Sequence, residues 1–268
     1  MQKWIDHKGK KLSYILSGEG PVLVLVHGFG EHSSTWSGQF NAFPGVKLII
    51  PDLPGSGASE MIDDMSMKGI AESVYAILQF ESVDNIIILG HSMGGYVTLA
   101  FVELYGQLVQ GFGLIHSTAF ADGAEKKEDR LKGINFIKTN GAAAFLKTAI
   151  PKLYAPETLE KNKELVQQHI EANLRFSDEA LIRYYQGMMN RPDRTSVLQN
   201  TKKRVLFIFG RYDSTIHLEE SLKQSYMAQL SYIHILEHSG HMGMQEEADK
   251  TNLFLLQYIQ DVFNPVGT

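Results

Sequence analysis

Residues 90–94 (GHSMG) place Ser92 directly after an apolar run at 85–89 and before a helix predicted over 94–105. A sharp turn from a strand into a helix strains the central residue, and nearby glycines let the turn close against its neighbours. The turn also puts Ser92 at a helix N-terminus, where backbone N–H groups stabilise developing negative charge. These features predict a nucleophilic serine, although so short a motif also occurs in ordinary turns.

A serine nucleophile needs a base within hydrogen-bond reach, and a carboxylate that orients this base. The apolar run RVLFIFGRYD ends at Asp213, and the run SYIHILEHSG leads into His241. One helix and one strand fit between these residues, so both are predicted at the same sheet edge as Ser92. Asp122, which follows an earlier apolar run, is the alternative to Asp213 as the orienting acid.

A loop after the first apolar run can supply hydrogen-bond donors to an oxyanion. In the segment VHGFGEHS, glycines at 28 and 30 let the backbone pass close to a ligand, so the Phe29 N–H can point inward. The N–H of Met93, which follows the predicted nucleophile, is the second expected donor. Each such donor typically contributes about 10²–10³ in rate.

Other polar residues near these motifs are expected to have structural roles. His91 is predicted to pack or to make a structural hydrogen bond, rather than to act as a second base. Glu31 is predicted to be a solvated carboxylate, and the alternative is that it reaches the site from the loop that contains Phe29. His238 lies three residues before His241, but no set of His, Asp and Glu has recognisable ligand spacing, so no metal is predicted. Surface or satisfied core positions are expected for the histidines at 7, 32, 116, 169, 217 and 234.

The composition is typical of a folded protein with a sizeable core, since 44% of the 268 residues are hydrophobic and 21% are charged. The formal net charge of −5 argues against a nucleic acid or an anionic membrane as the main partner. The absence of cysteine excludes disulfides and cysteine nucleophiles. Without a signal segment or an apolar stretch of roughly 18 residues, a cytoplasmic protein is expected.

Short apolar runs alternate with helical patterns along most of the chain. The runs lie at 22–28, 46–52, 85–92, 111–117, 204–213 and 231–240. Because these runs do not alternate polar with apolar residues, they are typical of parallel strands buried on both faces. Helices are predicted from Met67, with Ser66 as N-cap, and over 245–262. The pattern predicts an α/β fold whose functional groups lie at the carboxyl ends of the strands.

One long segment, 119–196, interrupts this alternation with charged and helical stretches only. It is predicted to be a helical insertion that lies over the strand ends. Its apolar residues at helical spacing either contact the core or line a substrate pocket. The residues assigned to that pocket are Tyr184, Tyr185, Met188 and Met189. Aromatic side chains and flexible methionines are typical of a partly apolar, adaptable pocket.

Taken together, these motifs resemble the α/β-hydrolase superfamily over nearly the whole chain. The matching pieces are HGFG (27–30), Trp36, DLPGSGAS (52–59), GHSMGG (90–95), GRYD (210–213) and SGH (239–241). The chain order Ser, Asp, His is also the order of that family. The resemblance implies Ser92 as nucleophile, Asp213 as acid, His241 as general base and the amides of Phe29 and Met93 as oxyanion hole.

The resemblance further implies a mostly parallel sheet flanked by helices, with a helical cap inserted after the sixth strand. The chain would then consist of a first core part (1–118), the cap (119–196) and a second core part (197–268). Superfamily members that use an aspartate nucleophile are excluded, because position 92 is serine.

The leading functional hypothesis is a serine hydrolase that cleaves a carboxylic ester of a small or medium, mostly apolar molecule, without a cofactor. The same three residues also serve thioesterases, carbon–carbon bond hydrolases and cofactor-free peroxidase-like enzymes. A non-catalytic receptor with this fold is a further alternative. Fold and catalytic residues do not separate these possibilities, because the cap determines the substrate. A small-molecule substrate is the expected partner, and the oligomeric state is left open.

Overall fold

The computed structural model describes residues 1–264. The strands are β1 (Gln2–His7), β2 (Lys10–Ser17), β3 (Val22–Val26), β4 (Lys47–Pro51), β5 (Ile86–His91), β6 (Val109–Ile115), β7 (Arg204–Gly210) and β8 (Leu230–Leu236). The helices are α1 (Met67–Phe80), α2 (Met93–Tyr105), α3 (Ala124–Asn140), α4 (Ala142–Ala149), α5 (Pro156–Lys161), α6 (Lys163–Asn173), α7 (Asp178–Met189), α8 (Thr195–Asn200), α9 (Leu218–Ser225), α10 (Gly243–Glu246) and α11 (Ala248–Phe263). In this part of the chain, no helix is long and apolar enough to cross a membrane.

All eight strands form one sheet in the order β1-β2-β4-β3-β5-β6-β7-β8. The strands β3 to β8 are parallel to one another, and β1 and β2 join antiparallel at one edge. The predicted mostly parallel sheet is confirmed. The hairpin of β1 and β2 was not predicted, because the apolar stretches in these strands are at most three residues long and are flanked by polar residues.

The central strands are buried on both faces, which explains why their apolar runs do not alternate with polar residues. In β5, Ile86 and Ile88 belong to the core on one face of the sheet, whereas Ile87 and Leu89 belong to the core on the other. Helices α1 and α2 contribute to the first core and α11 contributes to the second. Packing on both faces holds the central strands in place, and with them the strand ends that the predicted site residues follow.

The helices predicted from Met67 and over 94–105 are present as α1 and α2, and α1 has the predicted cap. The Ser66 hydroxyl accepts the Gly69 N–H at 3.1 Å, which satisfies an orphan donor at the start of α1. The single helix predicted over 245–262 is wrong at its start, because Glu247 is non-helical and separates the short α10 from α11. Between β6 and β7 the chain forms only helical and irregular structure, from α3 to α8. Helix α8 ends at Asn200, slightly beyond the predicted boundary at residue 196.

Candidate functional site

Ser92 lies between β5 and α2 in a strained backbone conformation, with φ 52° and ψ −118°. A side-chain-bearing residue in such a region costs about 1–3 kcal/mol. Hydrogen bonds from β6 and its following loop hold the turn, since the Ile115 carbonyl accepts the Ser92 N–H at 3.0 Å and the Ser117 hydroxyl donates to the Ser92 carbonyl at 2.7 Å. A Cβ at Gly94 would lie 2.3 Å from the Val26 carbonyl oxygen, so the close approach of α2 to β3 requires glycine there.

The loops after β7 and β8 bring Asp213 and His241 into direct contact. The His241 Nδ1–H donates to Asp213 Oδ2 at 2.7 Å, and both side chains are buried. The other carboxylate oxygen, Oδ1, accepts the backbone N–H groups of Thr215 at 2.8 Å and Ile216 at 2.9 Å. Asp213 is therefore fixed from both sides and in turn orients the imidazole ring.

A second histidine, His116, contacts the same carboxylate oxygen. Its Nδ1 lies 3.2 Å from Asp213 Oδ2, while its buried Nε2 has no hydrogen-bond partner within residues 1–264. Burial lowers the pKa of His116 to about 4, so the ring is neutral at pH 7 and donates its Nδ1–H. The prediction of a surface or satisfied core position for His116 is wrong. Its place directly after β6, at the sheet edge shared with Asp213 and His241, is the sequence signal that could have identified it.

These contacts determine the charge of Asp213. Burial opposes ionisation, but the electrostatic attraction and the hydrogen bonds that His241 and His116 supply hold the pKa of this carboxyl well below its usual range. Ligand-type atoms of His116, Asp213 and His241 lie within 4.8 Å of one another. A cation bound between them would displace both Nδ1–H···Oδ2 hydrogen bonds, so the arrangement fits a hydrogen-bonded carboxylate better than a metal centre. The absence of a metal stays a prediction.

The structure places Asp122, the alternative acid, in a different cluster. Its carboxylate accepts the Arg130 Nε–H at 2.6 Å and lies 2.8 Å from Arg191 Nη1. Asp213, rather than Asp122, is the residue hydrogen-bonded to His241.

Two backbone amides near Ser92 have free N–H groups. Met93 is the first residue of α2, where helical geometry provides no intrahelical acceptor. The Phe29 N–H has no acceptor among residues 1–264, whereas the neighbouring Gly28 N–H donates to Glu31 at 2.8 Å. Phe29 lines the cavity described below together with Ser92, and Met93 is the residue that follows Ser92 in the chain. Their role as oxyanion donors stays a prediction.

Glu31 and His91, each two residues from one of these amides in the sequence, form a buried pair. His91 Nδ1 lies 3.1 Å from the Glu31 carboxylate, and His91 Nε2 lies 2.9 Å from the His241 carbonyl oxygen. A carbonyl and an ionised carboxylate only accept, so both ring nitrogens must carry protons. The predicted structural hydrogen bond of His91 is present. The prediction of a solvated Glu31 is wrong, because this residue is only 2% exposed.

The pKa values of both partners are displaced by this pairing. Burial favours neutral Glu31, yet the His91 charge lowers the pKa of Glu31 to about 2. Burial also disfavours protonated His91, but the charge and hydrogen bond of Glu31 raise the pKa of His91 above its ordinary value. The pair therefore stabilises the fold when Glu31 is ionised and His91 is protonated.

Replacement of Glu31 by glutamine is expected to lower the free energy of unfolding by about 1–3 kcal/mol near pH 6. The Glu31 charge contributes fully above its ordinary pKa of 4.5, and this contribution is lost as the pH falls towards 2. The His91 charge contributes fully below 6.5, and this contribution is lost as the pH rises through its raised pKa. Urea unfolding across the pH range should therefore show the largest difference from wild type in weak acid.

The matched control for this prediction is the exposed Glu19, whose replacement by glutamine should change the free energy of unfolding little at any pH. A Glu31→Gln effect that stays constant from acid to alkali would contradict the ionised pair.

Ser92, His241 and Phe29 line one cavity of about 290 Å³. Within residues 1–264, no hydrogen bond joins the Ser92 hydroxyl to the His241 ring. In enzymes such bonds are often long before a substrate binds. The cavity nevertheless brings the predicted nucleophile, base and one oxyanion donor to the same space.

Helix α7 contributes two of its four predicted pocket residues to this cavity. Tyr185 and Met188 line it, and the Tyr185 ring stacks on Phe29 at a centroid distance of 4.3 Å. Tyr184 instead is fully buried and donates its hydroxyl to the Pro54 carbonyl at 2.6 Å. Met189 does not line the cavity. Consecutive residues of a helix point in different directions, so Tyr184 and Met189 leave the face that holds Tyr185 and Met188.

Comparisons with known proteins identify the family of this chain. The chain is 29% identical to a dihydrolipoyllysine-residue acetyltransferase component of an acetoin cleaving system from Pseudomonas putida, over 91% of this chain. The chain spans 65% of that relative's length. It is also 22% identical to a 2-hydroxy-6-oxo-6-phenylhexa-2,4-dienoate hydrolase from Comamonas testosteroni, over 93% of this chain and 91% of the relative.

Among solved structures, a thermophilic esterase from Thermogutta terrifontis, with malate bound, matches the fold with a TM-score of 0.90 and 24% identity. The match covers 98% of this chain and 99% of the esterase. The model of the alpha/beta hydrolase family matches residues 23–252, which include all the strands of the parallel part of the sheet except the first residue of β3. The chain therefore belongs to the alpha/beta hydrolase family.

Proposed function

We propose that this protein is a serine hydrolase that cleaves carboxylic esters. In this proposal Ser92 is the nucleophile, His241 is the general base and Asp213 orients the base. The observation that carries the proposal is the 2.7 Å hydrogen bond between His241 Nδ1 and Asp213 Oδ2, made where His241 and Ser92 line one cavity. The strained turn at Ser92 adds support, because it exposes the hydroxyl at the start of a helix.

The proposed reaction has two steps. His241 Nε2 takes the Ser92 proton while the serine oxygen attacks the ester carbonyl, and the N–H groups of Phe29 and Met93 bind the resulting oxyanion. The protonated imidazole then gives its proton to the departing alcohol, which leaves an acyl group on Ser92. Water deprotonated by His241 attacks this acyl group, releases the carboxylic acid and restores the serine. No cofactor is needed in either step.

We further propose that the segment 119–196, whose helices begin with α3, is a cap over the strand ends. Cap residues Phe145, Leu146 and Tyr185 line the cavity together with the core residues Ser92 and His241, so the segment forms part of its wall. These side chains favour a small or medium substrate with an apolar portion next to the ester.

Carbon–carbon bond hydrolysis is the second candidate. The similarity to a 2-hydroxy-6-oxo-6-phenylhexa-2,4-dienoate hydrolase over 93% of this chain supports it. The same serine, histidine and aspartate would serve both reactions, so the substrate has to separate them.

Hydrolysis of p-nitrophenyl esters from acetate to laurate, together with labelling of the protein by a serine-reactive phosphonate, tests the proposal. We expect turnover with a preference for short or medium acyl chains, and a phosphonate adduct on Ser92 in peptide mass spectra. An adduct without ester turnover would favour the carbon–carbon hydrolase. Neither adduct nor turnover would contradict a catalytic Ser92 and favour a receptor.

A further inference from the structure

Arg130, on helix α3, is a buried residue that lines the same cavity as Ser92. Part of the hydrogen-bonding capacity of its guanidinium group is unused. Its side chain is only 10% exposed. Nε and Nη2 donate to Asp122 at 2.6 Å and 3.3 Å, whereas Nη1 has only the Met188 sulfur at 3.3 Å. A thioether is a weak acceptor, so one edge of this guanidinium lacks an oxygen partner among residues 1–264.

The charges around Arg130 do not balance. Asp122 is shared with Arg191, whose Nη1 lies 2.8 Å from it, so the cluster of these three side chains has two cations and one anion. Arg191 also donates to the carbonyl groups of Met188 and Phe120, so its donors are well used. Within this cluster one positive charge remains in a buried setting, where an unmatched ion is costly. A further carboxylate that attracts Arg191, that of Asp193, is exposed.

The residue that carries this charge lines the space that contains the proposed nucleophile. Arg130 lines the same cavity as Ser92, and Lys126 and Lys152 line it as well. Two acidic residues also line it, and both have other partners. Glu31 pairs with His91, and Asp129 lies 3.3 Å from the exposed Lys132. The cavity thus combines an apolar wall with a cationic one.

We propose that the substrate is an ester that carries a carboxylate group, and that Arg130 binds this carboxylate. The free edge of the guanidinium would donate to the carboxylate, and the bound anion would balance the charge of the cluster. The apolar wall formed by Phe29, Phe145 and Tyr185 would hold the chain between the two groups. This inference rests on the proposed ester hydrolysis and adds the class of substrate.

The test compares p-nitrophenyl hydrogen glutarate with p-nitrophenyl valerate, which has a methyl group in place of the carboxylate. In wild type, kcat/KM should be about 10-fold or more higher for the anionic ester. Arg130→Met should lower the anionic value about 10–100-fold and change the neutral value by no more than about 3-fold. Arg130→Lys should retain part of the preference, because it keeps the charge but not the planar donors.

Lys132→Met is the matched control, since it removes the same charge from the same helix on its exposed side. It should leave the ratio of the two kcat/KM values within about 2-fold of wild type. Arg130→Met should still fold, because Asp122 keeps Arg191 as a one-to-one partner. Thermal unfolding checks this. Equal ratios in wild type and in folded Arg130→Met, or a wild-type preference for valerate, would overturn the inference.

Binding separates this inference from the proposed reaction. If wild type hydrolyses neither ester, calorimetry on Ser92→Ala with the mono-p-nitroanilide of glutarate and with the p-nitroanilide of valerate still gives an answer. Tighter binding of the anionic anilide, lost when Arg130→Met is added, would support the carboxylate site although ester hydrolysis had failed. Equal binding of the two anilides would reject the site independently of any turnover.

Discussion

Replacement of Ser92 by alanine is expected to lower kcat for ester hydrolysis by about 10⁴–10⁶-fold while the fold is retained. The hydroxyl oxygen is the atom that forms the acyl-enzyme in the proposed reaction, so no partial function of the side chain remains. Other stabilising features, such as the N–H groups of Phe29 and Met93, stay in place and account for the residual rate. KM should change much less than kcat, because alanine leaves the cavity wall intact.

The backbone of Ser92 supplies a control for this variant. Alanine and serine both have a Cβ, so the strain at φ 52° is the same in both proteins. Glycine adopts this backbone conformation without the penalty. Ser92→Gly should therefore be as inactive as Ser92→Ala, but its free energy of unfolding should be higher than that of Ser92→Ala by about 1 kcal/mol. Single-turnover assays and chemical unfolding measure the two quantities. A loss of activity below tenfold in either variant would refute the nucleophile.

Replacement of Asp213 by asparagine is expected to lower kcat by about 10⁴-fold. Both oxygens of the Asp213 carboxylate accept hydrogen bonds. Oδ2 accepts two of them, from the Nδ1–H groups of His241 and His116. An amide has only one oxygen. If its NH₂ group occupies the Oδ2 position, it donates towards the ring and favours the His241 tautomer that carries its proton on Nε2, which cannot accept the Ser92 proton.

The alternative orientation of the asparagine amide keeps its oxygen on His241 and directs its NH₂ group towards the N–H groups of Thr215 and Ile216. That arrangement opposes donors to donors, so it is also costly. Kinetics of Asp213→Asn and Asp122→Asn, measured side by side, test the assignment. A larger fall in kcat for Asp122→Asn than for Asp213→Asn would move the orienting role to Asp122.

Residue types and strand ends in the sequence predicted much of the site. Ser92 and Asp213 each follow a buried strand, and His241 follows the partly exposed edge strand β8. Parallel strands end at one sheet edge, so the proximity of the three residues follows from local patterns. The pairing of Glu31 with His91 does not follow in this way. The charged partner of Glu31 lies 60 residues later in the chain, and nothing in the sequence around Glu31 indicates that the two side chains meet.

Helix α7 shows the same limit on a smaller scale. Helical spacing predicted that α7 has one buried face. In the structure some of its residues are buried in the core and others line the cavity. Tyr184 packs into the core and Tyr185 lines the cavity, although they are neighbours in the sequence. The rotation of α7 about its own axis decides whether Tyr184 or Tyr185 points towards the cavity. Tertiary packing sets this rotation, so the sequence of the helix alone does not reveal it.

The position of the helices α3–α8 between β6 and β7 has a consequence for synthesis on the ribosome. The strands β1 to β6 can pair as soon as they emerge, but β6 then has one edge without a partner until β7 is made. At about 5–20 residues per second, translation of the intervening segment takes on the order of ten seconds. During that delay an unpaired apolar strand edge is open to pairing with other nascent chains, which makes β6 the aggregation-sensitive element of biosynthesis. A chain stopped before β7 would lack both Asp213 and His241, so the three proposed catalytic residues come together only after β7 and β8 have been made.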